Sequence, residues 1–315
     1  MYWLGIDLGG TNIATGVVDE NFNILGRGKV KTDTSKGSDA VADDMAKAVE
    51  MAIKDSGVNP TEIVAMGIGS PGAIDPENGI VLRAANLNFK DLPLCQMLKD
   101  RTGYDFYIEN DANAAAYGEL LAGAGKGKKH FIAVTLGTGV GGGIIIDGKI
   151  YSGAQHAGGE IGHTVIIHNG EKCSCGINGC WEAYASASAL IRQTKFAMIR
   201  NKESVMWDIA KTLENVNGIT AFDAMRKGDK AGTDVVSQYI EYVAVGVLNM
   251  INIFQPEVLC IGGGISKEGD TLLNPIKKYV ADKCFAGAEK TQIKAATLGN
   301  DAGIIGAAFL CNLYK

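Results

Sequence analysis

A strand, a tight glycine turn, a second strand, a polar turn and a third strand open this chain, and the same succession returns 128 residues further on (135 minus 7). The first copy runs Leu4-Gly5-Ile6-Asp7-Leu8-Gly9-Gly10-Thr11, then Ile13 to Val18, the turn Asp19-Glu20-Asn21, and Ile24-Leu25-Gly26. The second runs Ile132-Ala133-Val134-Thr135-Leu136-Gly137-Thr138-Gly139, then Ile144 to Ile146, the turn Asp147-Gly148-Lys149, and Ile150-Tyr151. At this offset Leu8 matches Leu136, Gly9 matches Gly137 and Asp19 matches Asp147. Self-similarity at a fixed spacing marks a duplicated unit. Each copy reads as an antiparallel three-strand meander, and the backbone N–H groups of each glycine turn can cradle phosphate. Two homologous α/β lobes with a cleft between them are therefore expected.

Beyond the meanders, helix and strand alternate. Asp39 to Asp55 carries Val41, Met45, Ala48, Val49 and Ala52 at helical spacing and stops at Ser56-Gly57. Strands are expected at Ile63 to Ile68, Asp105 to Ile108, Val258 to Ile261 and Ile293 to Ala296. Helices are expected at Ala114 to Leu121, Thr233 to Phe254 and Gly303 to Leu313. At 315 residues the chain exceeds what one core usually serves. The boundaries fall at 1–115, joined by a closing helix of about 301–315, and at 116–300.

Composition narrows the class. With 46% hydrophobic and 21% charged residues the chain reads as soluble and globular. A net charge of −5 without any Lys/Arg run gives no footprint for nucleic acid. The opening Met1-Tyr2-Trp3-Leu4-Gly5-Ile6-Asp7 lacks the basic start of a signal peptide. Val243 to Phe254 is too short to span a bilayer. Cys95, Cys260, Cys284 and Cys311 stand singly among mostly apolar residues, as core thiols of a reduced cytoplasm would. The 42 glycines fall in clusters, which suggests backbone brought close to ligands at several places.

The remaining three cysteines are different. Cys173-Ser174-Cys175-Gly176 and Cys180 sit among glycines and polar residues, where a short loop can fold back and bring the sulfurs together. A disulfide would leave one thiol unpaired, and a C-x-C bridge would be strained. Zinc takes four tetrahedral S or N ligands, and His163 is the nearest upstream candidate for the fourth. Such a site is closed and structural. Asp7, at a strand end beside Gly9-Gly10-Thr11, suits a Mg²⁺ ion, although a turn-capping aspartate is the plainer reading; its counterpart in the duplicate is Thr135. In Glu109-Asn110-Asp111-Ala112-Asn113, between a strand and a helix, Asn110 or Asp111 can act as an N-cap. A carboxylate there, facing a bound hydroxyl, also suits a general base for phosphoryl transfer. Glu160 and Glu182 flank the cysteine cluster, and carboxylates converging on one place suit polyol recognition.

These motifs, with Gly67-Ile68-Gly69-Ser70-Pro71-Gly72, Asn86-Leu87, Leu136-Gly137-Thr138-Gly139-Val140-Gly141-Gly142-Gly143, Gly158-Gly159-Glu160-Ile161-Gly162-His163, Ile261-Gly262-Gly263-Gly264-Ile265-Ser266 and Leu298-Gly299-Asn300-Asp301-Ala302-Gly303, run the length of the chain. In that order they resemble the ROK family (repressors, open reading frames, kinases), most of all its ATP-dependent glucokinases. The resemblance implies an α/β, actin/hexokinase-like (ribonuclease H-like) duplicated fold. It implies Asp111 as catalytic base, with Ser70, Asn86, Asn110, Asp111, Glu160, His163 and Glu182 binding the hexose. Asp7, Gly9, Gly10, Thr11, Thr138 and Gly139 would serve the Mg²⁺ and phosphates of ATP, and Gly262, Gly263 and Gly264 the adenosine. His163, Cys173, Cys175 and Cys180 would hold zinc, so that His163 serves metal and sugar with its two nitrogens. The first lobe would then carry sugar loops and base, and the second the nucleotide site and zinc loop, in a cytoplasmic homodimer. One departure stands out: many relatives have Lys or Arg just after Gly-Gly-Thr, where this chain has Asn12 and Ala14.

Two other classes compete. A sugar-responsive repressor needs a helix-turn-helix ahead of the phosphate hairpin, which here begins at residue 4, and a non-catalytic sensor would lack Asp7 or Asp111. Among substrates, glucose leads, and N-acetylmannosamine, fructose, mannose and allose are the alternatives.

Overall fold

The computed structural model describes residues 1–314. The chain divides into two compact units, one of Met1–Ala133, Gly143–Gly159 and Thr297–Lys315, the other of Val134–Gly142 and Glu160–Ala296. Strands β1 (Tyr2–Leu8), β2 (Asn12–Val18), β3 (Ile24–Lys31), β4 (Ile63–Ser70), β5 (Ala73–Asp75), β6 (Ile80–Ala84), β7 (Phe89–Leu92) and β8 (Phe106–Asn110) come first, with helices α1 (Ser38–Ser56), α2 (Leu94–Thr102) and α3 (Asp111–Leu121). Then follow β9 (Phe131–Leu136), β10 (Val140–Ile146), β11 (Lys149–Ile150), α4 (Glu182–Ala185), α5 (Ala187–Arg200), α6 (Met206–Ala210), α7 (Thr220–Arg226) and α8 (Lys230–Phe254). The chain closes with β12 (Val258–Gly262), α9 (Asp270–Lys283), β13 (Gln292–Ala295), α10 (Asp301–Ala308) and α11 (Cys311–Tyr314).

The duplication is visible in the sheets. One has the order β3-β2-β1-β4-β8 and the other β11-β10-β9-β12-β13, so each meander is extended on the same side by two later strands. β4 and β8 run parallel to β1 and to each other, and β13 parallel to β12. A small antiparallel sheet, β5-β6-β7, has no counterpart among the described residues of the second half. Helix α1 forms where its periodicity indicates: Val41, Ala42, Met45, Ala48, Val49 and Ala52 are buried, and Gly57 ends it at φ 66°.

Two expectations need correction. Gly303 to Leu313 is two short helices, because Phe309 and Leu310 donate back to Gly306 and Ala307 in a tighter turn. That turn lets Phe309 pack its ring against Trp3 and Phe22, at centroid distances of 4.6 and 4.9 Å. The glycines, second, also serve packing. A Cβ on Gly5, Gly67, Gly118 or Gly306 would lie within 2.1 Å of a backbone oxygen of Ile304, Ala307, Ala302 or Ala114 respectively. Helix α10 therefore lies directly against β1, β4 and α3, and any side chain at these four positions would lift it away. Among the described residues, no helix is long and apolar enough to cross a membrane.

Candidate functional site

In the first unit, the β1–β2 turn is closed by the N–H of Gly9 donating to the carbonyl of Asn12 at 3.0 Å, and the Thr32 hydroxyl donates to the Gly9 carbonyl at 2.7 Å. Asn86 lies beside Gly10, with its Nδ2 3.6 Å from where a Cβ would stand. A cavity of about 480 Å³ opens here, lined by Asp7, Gly9, Gly10, Thr11, Lys29 and Asn300 among others. The parallel register sets Ser70 opposite Asn110 at the ends of β4 and β8. Asn110 is the cap of α3: its Oδ1 accepts from the N–H groups of Ala112 and Asn113, and its Nδ2 donates to the Gly72 carbonyl at 3.0 Å. The capping reading is therefore correct for Asn110, and Asp111 is the first helical residue.

Asp7 and Asp111 are close enough to repel. Burial, and secondarily the Asp111 charge, raise the Asp7 pKa from the ordinary 3.8 to about 6. Two neighbouring carboxylates beside the Gly9–Gly10 turn are a donor set suited to a hard divalent cation such as Mg²⁺. The raised value also has a stability consequence. Between about pH 4 and 6 the native state binds the proton more tightly than the unfolded chain, so stability falls as pH rises through that window. Above it the cost is at most ~3 kcal/mol, at about 1.4 kcal/mol per unit. Asp7→Asn should accordingly raise the melting temperature at pH 7.5 without Mg²⁺ by roughly 5 °C, a gain that vanishes below pH 4. Melting curves at the two pH values check this; a lower melting temperature at pH 7.5 would count against a buried anion at Asp7.

Two lysines stand on the strand that neighbours Asn12 and Ala14. In the β2–β3 register Ala14 pairs with Lys29 and Asn12 with Lys31. Paired residues share one face of the sheet, and Asp7 pairs with Ala14 from the other side. Arg27, on the same strand, is engaged by a two-pronged ion pair with Asp301 at 2.7 and 2.8 Å. Glu119, a buried acid with no signal in the sequence pattern, accepts from the N–H groups of Ala124, Thr297 and Leu298, each at 2.8 Å. It thereby fixes the loop leading to Asn300 and α10.

In the second unit, the N–H of Ala187 donates to the Gly137 carbonyl and the Ser188 hydroxyl to that of Thr138, both at 2.8 Å, which pins the Thr138–Gly139 turn. Gly263 follows β12 at φ 87°, where a Cβ would lie 2.3 Å from the Leu136 oxygen. Glu160 is exposed, and its carbonyl accepts from the His163 N–H one turn later. Glu182 bridges two parts of the unit: Oε2 accepts from the Val140 N–H at 3.0 Å and Oε1 from the Ser174 hydroxyl at 3.2 Å.

His163, Cys173, Cys175 and Cys180 come together, their ligand atoms all within 4.8 Å of one another. Gly176 and Gly179 take φ 94° and 90°, which turns the loop back on itself. Ligand distances of about 2.3 Å to sulfur and 2.0–2.1 Å to nitrogen imply tetrahedral edges of about 3.8 Å between sulfurs and 3.5 Å from sulfur to nitrogen. The Cys175–Cys180 sulfurs are 3.6 Å apart, and Cys173 Sγ lies 3.6 Å from His163 Nδ1. Three thiols and an imidazole at these spacings fit zinc. The cluster is anchored by the next residue: Trp181 is fully buried, donates from Nε1 to the Tyr242 carbonyl at 2.9 Å, and packs on Gly246 of α8, where a Cβ would overlap its ring.

A family model described as ROK family matches residues 3–313. The chain belongs to the ROK family. It is 38% identical over 307 residues to a glucokinase of Thermotoga maritima, covering 97% of this chain and 95% of that protein. Against a glucokinase of Streptomyces coelicolor the identity is 39% over 312 residues, covering 98% and 96%. Among solved structures it is similar to a ROK family glucokinase from Streptomyces griseus in complex with glucose and AMPPNP, with a TM-score of 0.81 and 36% identity, covering 98% of this chain and 99% of that one. The duplicated α/β architecture is thus the actin/hexokinase-like fold of the ROK kinases.

Proposed function

We propose that this chain is an ATP-dependent hexose kinase that converts D-glucose to glucose 6-phosphate. The observation that carries the reading is Asp111, held at the first turn of α3 beside Asp7 and within the same unit as the Gly9–Thr11 hairpin. In this reading Asp111 takes the proton from the sugar hydroxyl as that oxygen attacks the γ-phosphorus and ADP leaves. Asp7 holds the Mg²⁺ that arrives with ATP, which supplies charge neutralisation at the transferring phosphoryl group. The N–H groups of Gly10, Thr11 and Gly139 and the Thr138 side chain receive the phosphates, and Gly262, Gly263 and Gly264 border the adenosine. Ser70, Asn86, Asn110, Glu160, His163 and Glu182 bind sugar hydroxyls. His163 Nδ1, Cys173, Cys175 and Cys180 hold zinc, which supplies a closed cross-link with no open position for chemistry. The enzyme acts as a cytoplasmic homodimer; the dimer rests on family resemblance.

Glucose is favoured over other hexoses by the glucokinase relatives at 38 and 39% identity. Discrimination between epimers depends on whether a hydroxyl meets its partner or leaves a buried group unpaired. A coupled ADP-release assay over glucose, mannose, fructose, allose and N-acetylmannosamine decides. We expect kcat/KM for glucose to exceed the others by at least about tenfold, since an unpaired buried polar group costs about 1–3 kcal/mol. A higher value for any other sugar would reassign the substrate while leaving the kinase reading intact, whereas no ADP release with any of them would defeat it.

A further inference from the structure

Glu109 is the penultimate residue of β8, with 2% of its surface exposed, one residue before the cap of α3 and two before Asp111. A carboxylate buried so deeply is costly unless its lone pairs find donors. Oε1 accepts from the Asn110 backbone N–H at 2.7 Å and from Asn113 Nδ2 at 3.0 Å. Oε2 accepts from the Tyr314 hydroxyl at 2.5 Å, across 205 residues of sequence. Burial, then the Glu109 charge, push the Tyr314 phenol far above its ordinary range, so it is a donor at every working pH. Both ends of the carboxylate are therefore used. One end grips the backbone and first turn of the catalytic helix, and the other is gripped by α11.

We propose that Tyr314 is a positioning residue for phosphoryl transfer: by holding Glu109 Oε2 it aims Oε1 at Asn110 and Asn113 and so fixes the strand–helix junction on which Asp111 stands. The inference rests on Asp111 being the base. A base must be placed to within about half an ångström to be effective, and the three bonds to Glu109 restrain the segment that places it. Without the phenol, the carboxylate loses the donor on one oxygen and is free to rotate away from the other two partners.

The test is a double-mutant cycle in steady-state kinetics with Tyr314→Phe, Glu109→Gln and both together. Tyr314→Phe should lower kcat about tenfold to a hundredfold, the range for one hydrogen bond to a charged group, with KM for ATP within twofold. In the Glu109→Gln background the same change should cost less than twofold, because the group it acts through is already altered. Asn113→Ala, which removes another partner of this carboxylate, replaces Glu109→Gln in the cycle if that variant does not fold. Multiplicative losses, or a Tyr314→Phe protein with lower melting temperature but normal kcat, would overturn the proposal and leave Tyr314 a packing residue. Asp111→Asn is assayed alongside: near-normal kcat there would defeat the base assignment, whereas an inactive Asp111→Asn with a multiplicative cycle defeats only the role of Tyr314.

Discussion

Asp111→Asn is expected to preserve the fold and to lower kcat by at least the ~10²–10⁴ that loss of a general base costs. The fold should survive because the hydrogen bond from the Ala112 N–H to Oδ1, at 2.8 Å, can be accepted equally by a carboxamide oxygen. Capping of α3 is the work of Asn110, which the substitution does not touch. What the amide cannot do is take a proton. The substitution also removes the charge that contributes to the raised pKa of Asp7, so the acid limb of residual activity should move below pH 6, though only partly, since burial is the larger cause. Activity and melting temperature measured on one preparation separate chemistry from stability. Were kcat to stay within tenfold of the parent, Asp111 would not be the base, and Glu160 would be the next candidate.

What the sequence discloses here is what local spacing can carry. The buried face of α1 repeats at helical intervals and stops at a glycine, and the helix is found where that pattern puts it. The two meanders are legible because each is a contiguous stretch in which apolar strands are separated by glycine or polar turns, and the two sheet orders repeat. The cysteine cluster is legible for the same reason, three ligands lying within eight residues of one another and the fourth ten residues upstream. The supporting interactions are not of this kind. Glu119 holds Thr297 and Leu298 from 178 and 179 residues away, Ser188 holds Thr138 from 50, and Tyr314 holds Glu109 from 205. No periodicity marks such a pair, because neither partner's neighbours need change for it to form. Lys29 is a middle case. Its pairing with Ala14 follows from the β2–β3 register, and the sequence contains both strands, but a one-residue slip would turn it to the other face. Glycine is the reverse case: its excess is plain in the composition, while only the approach of α10 to β1, β4 and α3 tells which glycines serve packing.

Cys175→Ser should raise KM for the sugar by tenfold or more while KM for ATP stays within about threefold. A purely structural zinc would give another result, a lower melting temperature with both KM values near normal in the protein still folded. The geometry favours coupling. His163 presents Nδ1 to the Cys173 sulfur, so a metal held there would fix the ring and leave Nε2 to meet a hydroxyl. Glu182 follows Cys180 by two residues and takes a hydrogen bond from Ser174 inside the ligand loop, so loosening that loop loosens its carboxylate. Sugar contacts that depend on placement within about half an ångström are then lost. Glu182 also accepts from the Val140 N–H, beside the Thr138–Gly139 turn, and this bond transmits some disturbance toward the phosphates. That turn has two other ties, from Ala187 and the Ser188 hydroxyl, which do not pass through the zinc loop. The nucleotide effect should therefore be the smaller of the two. Kinetics at a temperature where circular dichroism shows the variant folded, with zinc content by elemental analysis, make the measurement. The parent should carry about one zinc per chain that resists brief chelation, as closed sites do. Equal rises in both KM values, or none in either, would separate the metal from the substrate and leave His163 with the zinc alone.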